Sequence, residues 1–257
     1  MQSAAPQRGA GYFDAEAPAY DAAYTAPTPA GYTLRARTEA ALGLVGAGPG
    51  RALDIGMGPG RLVERLAARG WTVSGVDSSA AMVELARRRV PDASGRLVEG
   101  RIEALPFPDA AFEAVVALGV LEYATDPWRA VLELRRVLAP GGLAVVSVAN
   151  SRAPYVRWRQ LALYPLVRTA KRVAPRGRPA PPLRRLIPLA RFRRLLAEAG
   201  FAVEERRYVA LYPILSPLDD LLPRPSVAVA SALATRAPAL GPVLGVHVVF
   251  AARRGLA

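Results

Sequence analysis

From Arg51 the chain alternates between short apolar runs and stretches whose apolar residues recur every three or four positions. RALDI, residues 51–55, predicts a strand. GRLVERLAARG, with Leu62, Leu66 and Ala67 at helical spacing, predicts a helix that Gly70 closes. WTVSGVD predicts a second strand, after which Ser78 or Ser79 caps the helix AAMVELARRR. GRLVEGRI and AFEAVVALG follow as strands. TDPWRAVLELRRVLAPGG predicts a helix with Asp126 as N-cap and Pro127 at its first position. Trp128, Val131 and Leu132 are expected to face inward there, and Gly141–Gly142 to end it. LAVVSVAN is then a buried strand. This rhythm predicts an α/β fold with a doubly wound parallel sheet and right-handed crossovers.

Past Asn150 the rhythm breaks. Residues 151–188 are basic and Pro-rich, with Tyr155, Trp158 and Tyr164 among them. LARFRRLLAEAGF resumes as an amphipathic helix ending at Gly200, followed by the strand AVEERRYVAL. Another irregular stretch leads to a small-residue helix near 226–236 and a last strand, GVHVVFAAR. There is no internal repeat. The expected organisation is one domain over 1–257: an N-terminal lid (1–40), a ligand-binding core (41–150), a basic insert (151–188) and a C-terminal helix with strands (189–257). The lid is expected to pack over the ligand edge of the sheet.

Composition changes this picture in one place. The net charge is +13, and residues 151–194 hold thirteen basic residues with no Asp or Glu. Outside that stretch basic and acidic residues balance, so one segment carries the whole imbalance. The absence of Cys excludes a disulfide framework and a thiolate metal site, and no metal is expected. The N-terminal stretch lacks the apolar core of a signal peptide, and residues 237–252 fall short of a spanning helix, so a cytoplasmic protein is expected.

The chemistry begins at LDIGMGPG, residues 53–60. In an open α/β sheet, ligands bind beyond the carboxyl ends of the strands, by the first strand at the switch point. Gly56, Gly58 and Gly60 are spaced G-x-G-x-G, and Arg61 stands where a dinucleotide fingerprint would place its third glycine. No Gly-Lys-Ser/Thr follows, as a P-loop would need. Asp54, just before the loop, disfavours a pyrophosphate and suits a cation. Asp77, ending the second strand, is placed to accept both hydroxyls of a ribose or to serve as a helix cap.

LDIGMGPGRL, VSGVDSSAAMVELARRR, VEGRIEALPFPDAAFEAVVALGVLEY and RRVLAPGGLAVVSV resemble, in order and spacing, successive motifs of the class I S-adenosylmethionine-dependent methyltransferases. Within these they resemble the ubiquinone/menaquinone-biosynthesis group, over residues 12–150 and more loosely over LARFRRLLAEAGFAVEE. The resemblance implies a Rossmann-like, doubly wound seven-stranded sheet with the last strand antiparallel, and S-adenosylmethionine as cofactor. It implies that Asp54, Gly56, Gly58 and Gly60 line the methionine portion, that Asp77 with Ser78 holds the ribose, that Ile102 flanks the adenine and that Leu118 with Gly119 closes the pocket. Two positions depart from the family pattern: Met57 replaces a frequent Cys or Thr, and Arg101 replaces a frequent acid, which leaves Glu103 and the backbone to recognise the adenine.

The implied activity is methyl transfer, an in-line displacement in which alignment and a dry site matter most. A general base helps only an acceptor hydroxyl of high pKa. The candidates are few: Tyr123, where relatives carry His after LE, Glu122 before it, His247 in the last strand and Tyr20 in the lid, which with Tyr24 could instead cover the cofactor. An already acidic oxygen on a small or lipid-linked metabolite needs none of them. The basic segment 151–194 suits an anionic membrane surface, placing the protein at the inner face of the membrane. A solvated surface, a nucleic-acid acceptor and a non-catalytic cofactor-binding protein stay open as alternatives, although no NPPY-type element or RNA-binding module is present.

Overall fold

The computed structural model describes residues 10–173, 182 and 184–256. Seven strands form one sheet: β1 (Arg51–Ile55), β2 (Thr72–Asp77), β3 (Leu97–Glu99), β4 (Phe112–Leu118), β5 (Leu138–Ala149), β6 (Phe201–Leu211) and β7 (Gly245–Arg254). Their spatial order is β3-β2-β1-β4-β5-β7-β6. The first five pair in parallel, with Leu53 of β1 opposite Ser74 on one side and Val115 on the other. β7 runs antiparallel to both β5 and β6. The order reverses between β1 and β4, so the switch-point crevice opens beside the glycine loop.

The helices are α1 (Ala10–Ala23), α2 (Pro29–Val45), α3 (Arg61–Ala67), α4 (Ala80–Arg89), α5 (Pro127–Val137), α6 (Pro154–Trp158), α7 (Tyr164–Val173), α8 (Leu189–Glu198), α9 (Leu218–Leu221), α10 (Pro223–Arg236) and α11 (Gly241–Leu244). The inner strands are apolar on both faces because both are covered. On one face Ile55, Val115, Val146 and Phe250 pack with Leu134 of α5 and Phe192 and Leu196 of α8. On the other, Ala52, Val73, Val116 and Val145 meet Leu42 of α2 and Leu62, Val63 and Leu66 of α3. α1 lies against α4 and meets α2.

Several local expectations need correction. Asp126 does cap α5, accepting from the N–H groups of Trp128 and Arg129. The buried face, however, is Ala130, Val131, Leu134 and Val137, while Trp128 and Leu132 are partly exposed. Each stands two positions from Ala130, about 200° around a helix of 3.6 residues per turn. Gly141–Gly142 do not end α5: the chain enters β5 directly at Leu138, whose partner in β4 is Phe112. The glycines instead lie where the β4–β5 register shifts, with Gly141 at φ 72°. β3 is only three residues long, preceded by a 3₁₀ turn, Pro91–Arg96. The segment read as irregular after Asn150 begins helically, α6 continuing through a π-turn, Arg159–Leu163, into α7. The rest of the basic insert, apart from residues 182 and 184–188, lies outside the described residues.

Candidate active site

The loop after β1 is held by its neighbours. The N–H groups of Gly56 and Met57 both donate to the carbonyl of Val76, at 2.8 and 3.2 Å. Asp77 accepts from the N–H of Gly58 at 2.8 Å through one oxygen and from the N–H of Ser79 at 3.0 Å through the other. Its carboxylate therefore ties the glycine loop to the start of α4. An ionised carboxylate has about four acceptor positions, so acceptor capacity remains for a ligand's hydroxyl. Ser79 is the N-cap of α4, accepting from the N–H of Met82. Gly60, at φ 79°, packs α3 onto α4: a Cβ there would lie 2.9 Å from Ala86. Met57 turns away from the loop's open side into the core, against Gly75.

A cavity of about 730 Å³, counted with its mouth, opens at this point. Gly56, Gly58, Asp77, Ser78, Ile102, Leu118 and Gly119 line it, together with Phe13 and Tyr20 of α1. Gly60, Asp54 and Glu103 do not line it. Asp54 is buried behind the loop with Oδ2 unpartnered. Glu103 is buried too, accepting from the N–H of Thr125 at 2.6 Å and lying 3.6 Å from Arg101.

The residue that sequence reasoning missed is Arg37. It lies on the buried face of α2 with Thr38, Ala41 and Leu42, lines the cavity, and keeps its buried Nε without a partner. A Cβ on Gly119, itself at φ 71°, would stand 2.4 Å from Arg37 Nη1, so only glycine lets the guanidinium reach this position. The signal available was an arginine among the apolar positions of the N-terminal lid.

The acids of the site are held toward their protonated forms. Burial, reinforced by the charge of Asp77 and opposed by Arg37, pushes Asp54 up to about 8. Burial also raises Asp77, against the N–H donors of Gly58, Ser79 and Ser78. An incoming cation would reverse this balance at Asp54.

α1 is fastened over the cavity by ion pairs. Asp21 pairs with Arg61 at 2.7 Å and with Arg89 at 2.8 Å, and Arg89 also donates to the carbonyl of Pro59. Asp14 accepts from the hydroxyl of Ser79 at 2.6 Å. Arg61, occupying the absent third fingerprint position, thus serves as the lid's anchor.

The four candidate bases fall into two groups. Tyr20 and Tyr123 line the cavity; Tyr123 Oη accepts from Arg184 Nε at 2.8 Å, and burial raises its pKa. Glu122 sits behind it, accepting from the N–H of Ala149, 3.8 Å from Arg184 and raised by burial. His247 is buried, and burial with the charges of Arg37 and Arg184 drives its pKa well down, leaving it neutral. Its Nε2 faces Arg184 Nη1 at 3.4 Å. None is an exposed, ionised base.

The residues fit S-adenosylmethionine. The unpartnered Arg37 Nε matches the carboxylate of an amino acid, and the buried Asp54 behind the loop suits its cationic end. Asp77 keeps acceptor capacity for a ribose hydroxyl, and Ile102 offers an apolar wall to an adenine. Comparison with known proteins agrees. Residues 53–146 match the family described as methyltransferase domain. A demethylmenaquinone methyltransferase of Renibacterium salmoninarum is 37% identical over 143 residues, covering 55% of this chain and 59% of the relative. An uncharacterised protein of Mycobacterium tuberculosis is 36% identical over 194 residues, covering 75% and 60%. The chain thus spans about 60% of these relatives' own length. Among solved structures, the cyclase SpnF superposes with a TM-score of 0.65 at 21% identity over 98% of both chains, a likeness of fold.

Proposed function

We infer that this chain, a class I S-adenosylmethionine-dependent methyltransferase of the ubiquinone/menaquinone type, methylates an oxygen on a small or lipid-linked metabolite. The observation that carries the reading is Arg37, buried with its Nε unpartnered and lining the cavity of the glycine loop together with Asp77. The cofactor would supply an electrophilic methyl carbon on a cationic sulfur, which an acceptor oxygen would take while the carbon–sulfur electron pair returned to sulfur.

The chain's own residues align and enclose. Gly56 and Gly58 would let the backbone approach the ligand, Arg37 would hold the carboxylate of its amino-acid end, Asp54 behind the loop would supply a negative charge, and Asp77 would hold the ribose. Phe13 and Tyr20 exclude water, which strengthens these electrostatic contacts. The relative named demethylmenaquinone methyltransferase makes demethylmenaquinone an acceptor to test beside small phenols. That molecule lacks a methyl on a ring carbon, so label on its carbon would overturn the oxygen reading. Incubation with methyl-labelled cofactor and demethylmenaquinone, small phenols or RNA should place label in an organic-soluble product. Label in RNA alone would overturn the reading, and cofactor binding without transfer to any acceptor would favour a non-catalytic binder.

A basic, apolar surface on α6 and α7 supports docking on an anionic membrane. Trp158, Leu161 and Leu166 are exposed on the α6–α7 segment among its arginines. Trp158 Nε1 donates to the carbonyl of Ser216, which links this segment to the stretch carrying exposed Leu218, Leu221 and Leu222. Among the described residues no single helix is long and apolar enough to cross a membrane.

A further inference from the structure

A second cavity, of about 850 Å³ with its mouth, adjoins the first and shares Tyr20, Arg37 and Arg184 with it. Arg159, Tyr155, Tyr164 and His247 also line it, and no Asp or Glu among the described residues does. Two arginines of the basic segment are thus turned inward rather than toward solvent.

Their counter-charges stand back from the cavity. Arg159 Nη1 donates to Tyr155 Oη at 2.6 Å, and that hydroxyl donates onward to Asp219 at 2.6 Å, so Asp219 meets the arginine through the phenol, while the charge of Asp220 also reaches it. The Arg159 guanidinium lies 5.4 Å from the Tyr155 ring centre and 5.0 Å from that of Tyr164, and Arg159 Nη2 also bonds Tyr164 Oη. Arg184 has Glu122 at 3.8 Å and neutral His247 at 3.4 Å. A guanidinium carries five N–H donors, and these contacts use two on each arginine, which leaves donors of both for a planar anion. The space between them has tyrosine walls and a positive field.

We propose that this chamber is the acceptor site and takes a planar organic oxyanion, a phenolate or a carboxylate, whose ionised oxygen Arg184 holds at the junction of the two cavities while Arg159 attracts it from behind. This rests on the methyltransferase reading of the adjoining cavity. It also explains the lack of a base: an acceptor that enters ionised has no proton to give up. Its lone pair forms the new bond, its negative charge is lost with the sulfonium's positive one, and a neutral ether or ester leaves the arginines.

The test uses the whole chain saturated with S-adenosylhomocysteine, titrated calorimetrically with two pairs of probes: 4-nitrophenolate against 4-nitroanisole, and 2-naphthoate against 2-naphthamide. At least one anion should bind about tenfold or more tightly than its neutral partner, as a charge-assisted contact implies. The 4-nitrophenolate arm distinguishes a phenolate site from the carboxylate site reported by 2-naphthoate, and its absorbance band should shift on binding. In Arg159→Gln and Arg184→Gln that preference should fall to about threefold or less. Arg159 does not line the cofactor cavity, so Arg159→Gln should keep its S-adenosylhomocysteine affinity, which excludes misfolding. Equal binding of the neutral probes, an unchanged preference in both variants, or no binding of any probe would overturn the proposal. Failure of S-adenosylhomocysteine itself to bind would instead remove the methyltransferase reading. The anion preference is read in the cofactor-free protein as well, so the two claims fail separately.

Discussion

Asp54 couples the site to pH. Its carboxyl is held up to about 8 by burial and by Asp77, with Arg37 opposing. Only the ionised form attracts a cationic ligand, so below pH 8 the competent fraction falls about tenfold per pH unit. Cofactor affinity should therefore rise between pH 6 and pH 8 and level off above, with a proton released on binding at the lower pH. Calorimetry in buffers of different ionisation enthalpy measures that release, and Asp54→Asn should abolish both the release and the slope. A slope that persists in Asp54→Asn would assign the titration to another group. The candidate bases give a second expectation at this scale. Tyr123→Phe, Glu122→Gln and His247→Ala should each lower the single-turnover transfer rate by less than about tenfold, because general-base catalysis is worth roughly a hundredfold or more. A loss near a thousandfold in any one would make that residue a base.

Among the elements, α1 is the most readily tested, because a few charged side chains fasten it. Asp21 joins it to Arg61 and Arg89, all partly buried. Asp21→Ala should speed cofactor dissociation by about five- to thirtyfold, the equivalent of roughly 1–2 kcal/mol, as read by stopped-flow fluorescence. An unchanged off-rate would show that α1 is not a lid. The glycine loop and Asp77 were legible in the sequence because their geometry is local: turn-forming glycines follow one strand, and an acid ends the next. Arg37 was not, because a helical pattern alone does not separate an arginine pointing at a ligand from one pointing at water. Arg159 and Arg184 were hidden differently, as two members of a basic run that reads as solvated surface. Trp128 and Leu132 misled because apolar character suggested an inward face, whereas the phase of α5 is set by Ala130, Val131, Leu134 and Val137. The helices after Asn150 were obscured by composition, since prolines and arginines outweighed a short apolar stripe.

For the whole molecule, the distribution of charge matters more than its total. The segment 151–194 holds the net excess of +13, and exposed apolar side chains accompany it on α6 and α7. Each basic residue near an anionic surface contributes roughly 1 kcal/mol, and salt screens that attraction within about 10 Å at 0.1 M. Co-sedimentation with anionic vesicles should therefore be strong at low salt and largely lost at about 0.5 M, with neutral vesicles binding little at either. Equal binding to neutral vesicles would leave the charge without a role. The central claim is tested most directly by calorimetric titration of S-adenosylmethionine into the wild type, Arg37→Met and Asp77→Ala. Wild type should bind one equivalent, and each variant should bind about ten- to a hundredfold more weakly, the range expected for a lost hydrogen bond to a charged group. No binding by the wild type, or equal binding by all three, would contradict the account.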